Sequence, residues 1–230
     1  MLRFTLPATL LALAAILAPA AHAAERDGAL CRQAIATIAP SAGVPAGLLG
    51  AIALVESGRP DPATGRPVPW PWSYNVEGEG FAAPSKAAAI AAVEKLQAQG
   101  LRSIDVGCMQ VNLLYHPKAF DDLAEAFDPE ANTRYAVRFL RSLQAQHGDW
   151  GSAVAHYHSG EPERGLAYSR RVALARLGAA WNGGGAAPLP PKLVSGLCAS
   201  GRVPALRFTG ARGGQRLATP RLVCIRSGGR

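Results

Sequence analysis

One carboxylate stands in an otherwise apolar run, and its surroundings suit it to proton transfer. Residues 51–59 read Ala-Ile-Ala-Leu-Val-Glu-Ser-Gly-Arg, with Glu56 as the single acid. A buried carboxyl is costly unless it is paired or protonated. Desolvation raises its pKa, and the negative end of a helix dipole pushes the same way, so that a proton is retained near neutral pH for donation. That combination describes a general acid. A second reading stays open at this point, in which Glu56 snorkels to solvent or pairs with Arg59.

The element that must position Glu56 is a helix. Pro45 suits a first helical position, apolar residues fill Leu48, Leu49, Ile52 and Val55, and Gly58 offers a left-handed stop, which predicts a helix over 45–57 with Glu56 in its last turn. Elsewhere the 3.6-residue period predicts helices near 28–39, 84–99, 107–115, 118–126, 129–147, 150–158 and 162–180. Strong breaks separate them at Pro40 to Gly43, Gly100, His116-Pro117, Asp128-Pro129, His147 to Asp149 and Gly160 to Pro162. Asp128, Pro129 and Glu130 together read as an N-cap, a first-position proline and a first-turn acid.

Residues 60–83 break the helical pattern with five prolines, followed by Ser-Tyr-Asn-Val-Glu-Gly-Glu-Gly-Phe. Val76 and Phe81 flank the turn of a short surface hairpin. Trp70, Trp72, Tyr74 and Phe81 are either a minor core under that hairpin or the lining of a sugar-binding groove, since aromatic faces stack on the apolar faces of pyranose rings.

Four cysteines, Cys31, Cys108, Cys198 and Cys224, permit three pairings if all are oxidised. Two fall in the body and two in the tail, and proximity within each module favours Cys31 with Cys108 and Cys198 with Cys224. A metal site is not expected: there is no Cys-x-x-Cys, and His147, His156 and His158 lack a convincing partner set. No cofactor is implied.

Residues 1–23 carry Arg3, an apolar stretch from Leu10 to Ala18 and a small-x-small site at Ala21-His22-Ala23, the pattern of a cleaved secretory signal peptide. That stretch is shorter than the roughly 20 apolar residues needed to span a bilayer, and no later segment reaches that length. The expected setting is therefore periplasmic or secreted, with a soluble monomer formed by the mature chain. Residues 24–181 read as one globular domain, and Gly183 to Pro191 as a linker. From Asn182 to Arg230 there are Lys192 and seven arginines and no acid, so this extension carries +8, the net charge of the whole chain. Either it is a solvated, partly disordered tail, or it adheres to a polyanion such as a cell wall or anionic lipid head groups. Nucleic acid is not expected, because the basic residues lack interleaved aromatics.

The ordered motifs Glu56-Ser57, Gly107-Cys108-Met109-Gln110, Asn132 with Ala136 and Phe139-Leu140, His156-Tyr157-His158-Ser159-Gly160, and Tyr168 before Arg171-Val172 span roughly residues 28–176. In that order they resemble the motifs of family 1 lytic transglycosylases, from which the chain departs at Cys108, Ala136, Phe139, His156 and His158. The resemblance implies a mainly α, lysozyme-like (SLT) helical domain, here with a small β-hairpin insertion and the basic C-terminal extension. It implies cleavage of the bond between N-acetylmuramic acid and N-acetylglucosamine in peptidoglycan glycan strands, ending in a 1,6-anhydro sugar. By similarity Glu56 is the single acid and base, Ser57, Gln110 and Tyr157 position Glu56 or the sugar, and Met109 and Tyr168 shape the cleft. Cys108 beside the Met-Gln pair would tie the cleft floor to Cys31 on the first helix.

Two other functions compete. A goose-type lysozyme would hydrolyse the same bond and needs a second carboxylate to activate water, for which Glu77, Glu79 and Asp105 are the candidates. A non-catalytic wall-binding component of an envelope-spanning secretion system would be held by the basic tail, with a partner in that assembly; an acid in an apolar helix is of no use to it.

Overall fold

The computed structural model describes residues 27–61, 65–182, 186–188, 198, 202–207 and 221–226. The signal peptide expected at 1–23, most of the linker and much of the basic extension lie outside the described residues. Within them the architecture is mainly α with a small sheet, as the sequence implies.

Helix α1 covers 27–38, followed by a 3-10 turn Ala39–Ser41. Helix α2, Leu48–Ser57, buries Leu48, Leu49, Ala51, Ile52, Ala53 and Ser57, so it is enclosed on most sides rather than amphipathic. A two-stranded ribbon follows, β1 Gly58–Pro60 with β2 Pro67–Pro69. The expected hairpin forms from β3 Ser73–Val76 and β4 Glu79–Ala82 around Glu77 and Gly78, both at positive φ. It is not isolated, because β5 Ile104–Val106 and β6 Val111–Asn112 extend it into an antiparallel sheet ordered β4-β3-β5-β6.

Helix α3, Lys86–Ala98, starts where Ser85 accepts a hydrogen bond from the Ala88 amide. The helix expected over 107–115 is absent: residues 107–110 form a turn and 111–112 pair with β5. The helix expected over 118–126 shrinks to α4, Leu123–Ala126, capped by Asp122. Helix α5, Pro129–His147, follows the sequence closely, with the Asp128 side chain accepting from the Ala131 amide, Pro129 in the first turn and Gly148 at φ 85° closing it. Its buried stripe, Asn132, Thr133, Ala136, Val137, Leu140 and Leu143, has the helical period. Helices α6, Trp150–His158, and α7, Pro162–Asn182, complete the bundle.

Two apolar clusters result. One joins α1, α2, α5, α6 and α7 through Leu49, Ile52, Leu140, Val154 and Val172. The other packs the sheet against α3 and α4 through Trp70, Trp72, Val93, Ile104 and Phe127. In the extension, β7 Ala186–Pro188, β8 Arg202–Arg207 and β9 Arg221–Arg226 pair antiparallel, and Cys198 is bonded to Cys224. Among the described residues no helix is long and apolar enough to cross a membrane, and no group of three or more His, Cys, Asp or Glu is arranged to hold a metal ion.

Candidate active site

Glu56 sits in the last turn of α2, where the backbone changes course abruptly. Gly58 does not terminate the helix in the left-handed conformation that the sequence suggested; it is extended, at φ −65° and ψ 128°. The need for glycine has a different cause, since a Cβ there would lie 2.1 Å from the Leu54 carbonyl oxygen. The chain passes directly from helix to strand at this point. Gly58 pairs with Pro69, and the Trp70 amide donates to the Ser57 carbonyl at 3.0 Å, which holds the end of α2 in place.

The Glu56 side chain turns into the molecule. The fully buried Tyr168 of α7 donates its hydroxyl to Glu56 Oε1 at 2.5 Å. Burial pushes the Glu56 carboxyl up to about 7 from 4.5; the Tyr168 hydrogen bond opposes this, the negative charge of Asp105 adds to it, and Arg171 opposes it. Tyr168 is clamped in turn by His158, stacked at 4.7 Å between ring centres, and by the Arg171 guanidinium at 5.5 Å. Burial and the charges of Arg171 and Arg164 lower the His158 pKa, favouring the neutral ring that stacks there. Arg59, the alternative partner of Glu56, instead lies over the Trp70 ring at 4.4 Å. An ion pair, Arg134–Glu130, lies on the surface of α5.

The floor beneath Glu56 is the turn Gly107–Gln110, and the reason it is not a helix is visible in its contacts. Gly107 has φ 80°, and a Cβ on it would stand 2.5 Å from Asn132 Nδ2. The buried Asn132 side chain accepts from the Met109 amide at 2.9 Å and donates to the Val106 and Ala126 carbonyls, each at 3.0 Å. The Ser57 hydroxyl is 2.7 Å from the Cys108 carbonyl, its closest acceptor, and Tyr157 donates to the Met109 carbonyl at 2.9 Å. Cys108 is bonded to Cys31 with Cα atoms 5.7 Å apart, the pairing expected from the sequence. These contacts also hold Gln110 at φ 48°, where its amide donates to the Gly107 and Ser73 carbonyls at 2.9 and 3.1 Å. Local helical propensity is overruled by a set of tertiary bonds.

An open cleft of about 230 Å³ leads to Glu56, lined also by Ser57, Arg59, Tyr74, Asn75, Phe81 and Gln110. The four aromatic residues of the 60–83 region divide between the two roles considered for them. Trp70 and Trp72 are core, with their ring N–H groups donating to the Ala83 carbonyl and to Asp27, and so do not line a groove. Tyr74 and Phe81 stack at 5.1 Å on the cleft wall, and Phe81 is 38% exposed.

Of the predicted site residues, Tyr168 is the one hydrogen-bonded to the Glu56 carboxyl; Ser57, Gln110 and Tyr157 hold the floor, and Met109 is wholly buried within it. Of the candidate second carboxylates, Glu77 and Glu79 are exposed at the hairpin turn, whereas Asp105 is partly buried and acts on Glu56 electrostatically. Sequence reasoning placed Asn132 in a motif without giving it a role, although a polar residue inside the apolar stripe of α5 was a readable signal of a buried hydrogen-bonding duty. His147 and His156 stack at 3.7 Å in the first cluster of helices, with no third ligand beside them among the described residues.

The transglycosylase SLT domain family matches residues 33–173, a span that contains Glu56, the floor turn, Asn132, Tyr157 and Tyr168. No curated protein and no solved structure matches the chain significantly.

Proposed function

Since the chain belongs to the transglycosylase SLT domain family, we propose that it is a lytic transglycosylase acting on peptidoglycan, with Glu56 as both acid and base. Protonated Glu56 donates its proton to the glycosidic oxygen, and the bond from that oxygen to C1 of the N-acetylmuramic acid residue breaks. The resulting carboxylate then accepts the proton of the C6 hydroxyl of the same sugar as O6 bonds to C1, which closes the 1,6-anhydro ring and restores the acid without consuming water. One carboxyl serves both steps because the substrate supplies its own nucleophile.

The observation that carries this reading is the state of Glu56: a carboxyl desolvated to a pKa of about 7, held at a helix end by Tyr168 and open to a cleft. A group with that pKa divides its time between acid and base at neutral pH, as a two-step proton carrier must. Its neighbours Ser57, Met109, Gln110 and Tyr157 support the role by keeping the floor rigid, and Tyr74 and Phe81 offer apolar faces to a sugar ring. In this reading residues 24–181 are the catalytic domain, and the basic extension 182–230 attaches it to the anionic wall. The two disulfides suit an oxidising, extracytoplasmic compartment.

Digestion of purified sacculi followed by mass analysis tests the proposal. Muropeptides ending in anhydro sugars, one water lighter than hydrolytic products, are the expected result, and Glu56→Gln should lower the rate by about 10² to 10⁴. Reducing ends as the sole product would assign a hydrolase instead.

A further inference from the structure

The cleft beside Glu56 carries a cation of its own. Among the described residues that line it, Glu56 and Arg59 are the two with an acidic or basic side chain, and the rest are polar, aromatic or small. Burial favours the protonated, neutral form of Glu56. The Arg59 guanidinium is thus the standing charge that a molecule entering the cleft meets.

The fold holds that guanidinium in place. Arg59 is the middle residue of β1 and lies opposite Val68 of β2, so the ribbon fixes its backbone. Its guanidinium carbon stands 4.4 Å from the centre of the Trp70 ring, and a cation over an indole face is attracted by the ring quadrupole. Trp70 is a fixed platform. It is buried, its ring N–H donates to the Ala83 carbonyl at 2.9 Å, and its amide donates to the Ser57 carbonyl at 3.0 Å. Attraction to the ring needs no hydrogen-bond acceptor, so the cation is positioned while its N–H donors stay open to another partner.

That partner is not supplied by the chain. Among the described residues the Arg59 guanidinium has neither a hydrogen bond nor an ion pair, and the acid that flanks it, Glu56, accepts from Tyr168 instead. An arginine presents paired N–H groups that match the two oxygens of a carboxylate. In the same cleft Tyr74 and Phe81 are stacked and offer apolar faces to a sugar ring. A neutral polymer of N-acetylglucosamine could use those faces but would leave Arg59 with nothing to bind. N-acetylmuramic acid differs in carrying a lactyl carboxyl, either free or amide-linked to a stem peptide that brings carboxylates of its own.

Resting on the reading of the substrate as peptidoglycan, we propose that Arg59 is a specificity-determining residue: its guanidinium, held over Trp70, binds a carboxylate borne by the muramic residue, so that the cleft selects acidic glycan strands over neutral ones. Trp70, buried and unable to stack on a sugar itself, serves recognition from beneath through the cation it holds. Proton transfer stays with Glu56.

The test is a cycle of one protein change and one substrate change, run on a Glu56→Gln background so that strands remain uncut. Kd is measured for soluble glycan strands with their carboxylates intact and after conversion to carboxamides, each with Arg59 and with Arg59→Met. Methionine keeps an apolar side chain against Trp70 and removes the charge and the donors. On intact strands Arg59→Met is expected to weaken binding about tenfold or more. Amidation should weaken the Arg59 protein by a similar factor, and the two losses should not multiply, because each removes the same contact. Added salt should weaken binding to intact strands more for Arg59 than for Arg59→Met. Strands stripped of peptide by an amidase carry the lactyl carboxylate, whereas peptide-bearing strands carry those of the stem; the set that shows the coupling identifies which carboxylate Arg59 binds. Losses that multiply on both sets, or a Kd for Arg59→Met within about twofold of the Arg59 protein on both, would overturn the proposal and leave Arg59 a cover for Trp70. Should Arg59→Met not fold, Arg59→Gln takes its place in the cycle and is refuted by the same outcomes. Failure of the transglycosylase reading would appear separately, in the product masses of the wild type, since a hydrolase acting on the same strands would leave the cycle unchanged.

Discussion

Replacing Asn132 by alanine should unseat the floor of the site without touching the carboxyl above it. The side chain is fully buried and joins three points of the chain: the Met109 amide at 2.9 Å and the Val106 and Ala126 carbonyls at 3.0 Å each. Leaving a buried polar group without a partner costs about 1–3 kcal/mol, so three such groups set an upper range of about 3–9 kcal/mol. Water entering the vacated space and small backbone shifts restore part of this, which gives an expected loss of about 3–5 kcal/mol. For a domain of this size each kcal/mol lowers Tm by about 2–4 °C, so a fall of about 6–20 °C follows. Thermal unfolding followed by far-UV circular dichroism measures it. Activity should fall as well, at temperatures where the variant is still folded, because the Met109 carbonyl that receives Tyr157 and the strained Gln110 both lie on the loosened turn. A variant melting within about 3 °C of wild type would refute the view that Asn132 is what holds the Gly107–Gln110 turn, and with it the explanation of why that segment is not helical.

Two further outcomes follow from the same geometry. Glu56 has its folded-state pKa raised from 4.5 to about 7, so its favourable contribution is complete below 4.5 and is lost as pH rises through 7, a difference of roughly 3 kcal/mol. Glu56→Gln, which cannot ionise, should therefore be the more stable protein at pH 8, and the Tm gap between the two should widen from pH 4.5 to pH 8; a gap independent of pH would contradict the burial assigned to this carboxyl. The Cys31–Cys108 bond joins positions 77 residues apart, for which chain entropy gives about 4–5 kcal/mol at most. The double variant Cys31→Ala, Cys108→Ala should melt about 10 °C lower and turn over more slowly, since Met109 and Gln110 follow Cys108 directly; unchanged melting would show that hydrogen bonds alone secure the floor.

What could be read from the residues alone is what depends on near neighbours in the chain. Helix α5 was legible in full because cap, first-turn proline, apolar period and terminal glycine all lie within its own sequence, and they agree. The place of Glu56 in the last turn of α2 was legible because the apolar period that sets this helix lies in its own sequence, and the cysteine pairs because each lies within one module. The segment 107–115 was misread for the opposite reason: its periodicity is helical, but Asn132, Tyr157, Ser57 and Cys31 reach it from 23 to 77 residues away and pull it into a turn. Gly58 was recognised as a glycine that mattered, yet its cause is the nearness of the Leu54 carbonyl to a chain leaving for β1, which no local rule contains. The partner of Glu56 was likewise decided in three dimensions. Arg59 is three residues away and carries the right charge, but it is turned onto Trp70, while Tyr168, 112 residues on, brings the hydroxyl. Composition and period determine which groups are buried; only the packing of α7 and the sheet against the end of α2 decides which of them meet, and so where the proton of Glu56 is held.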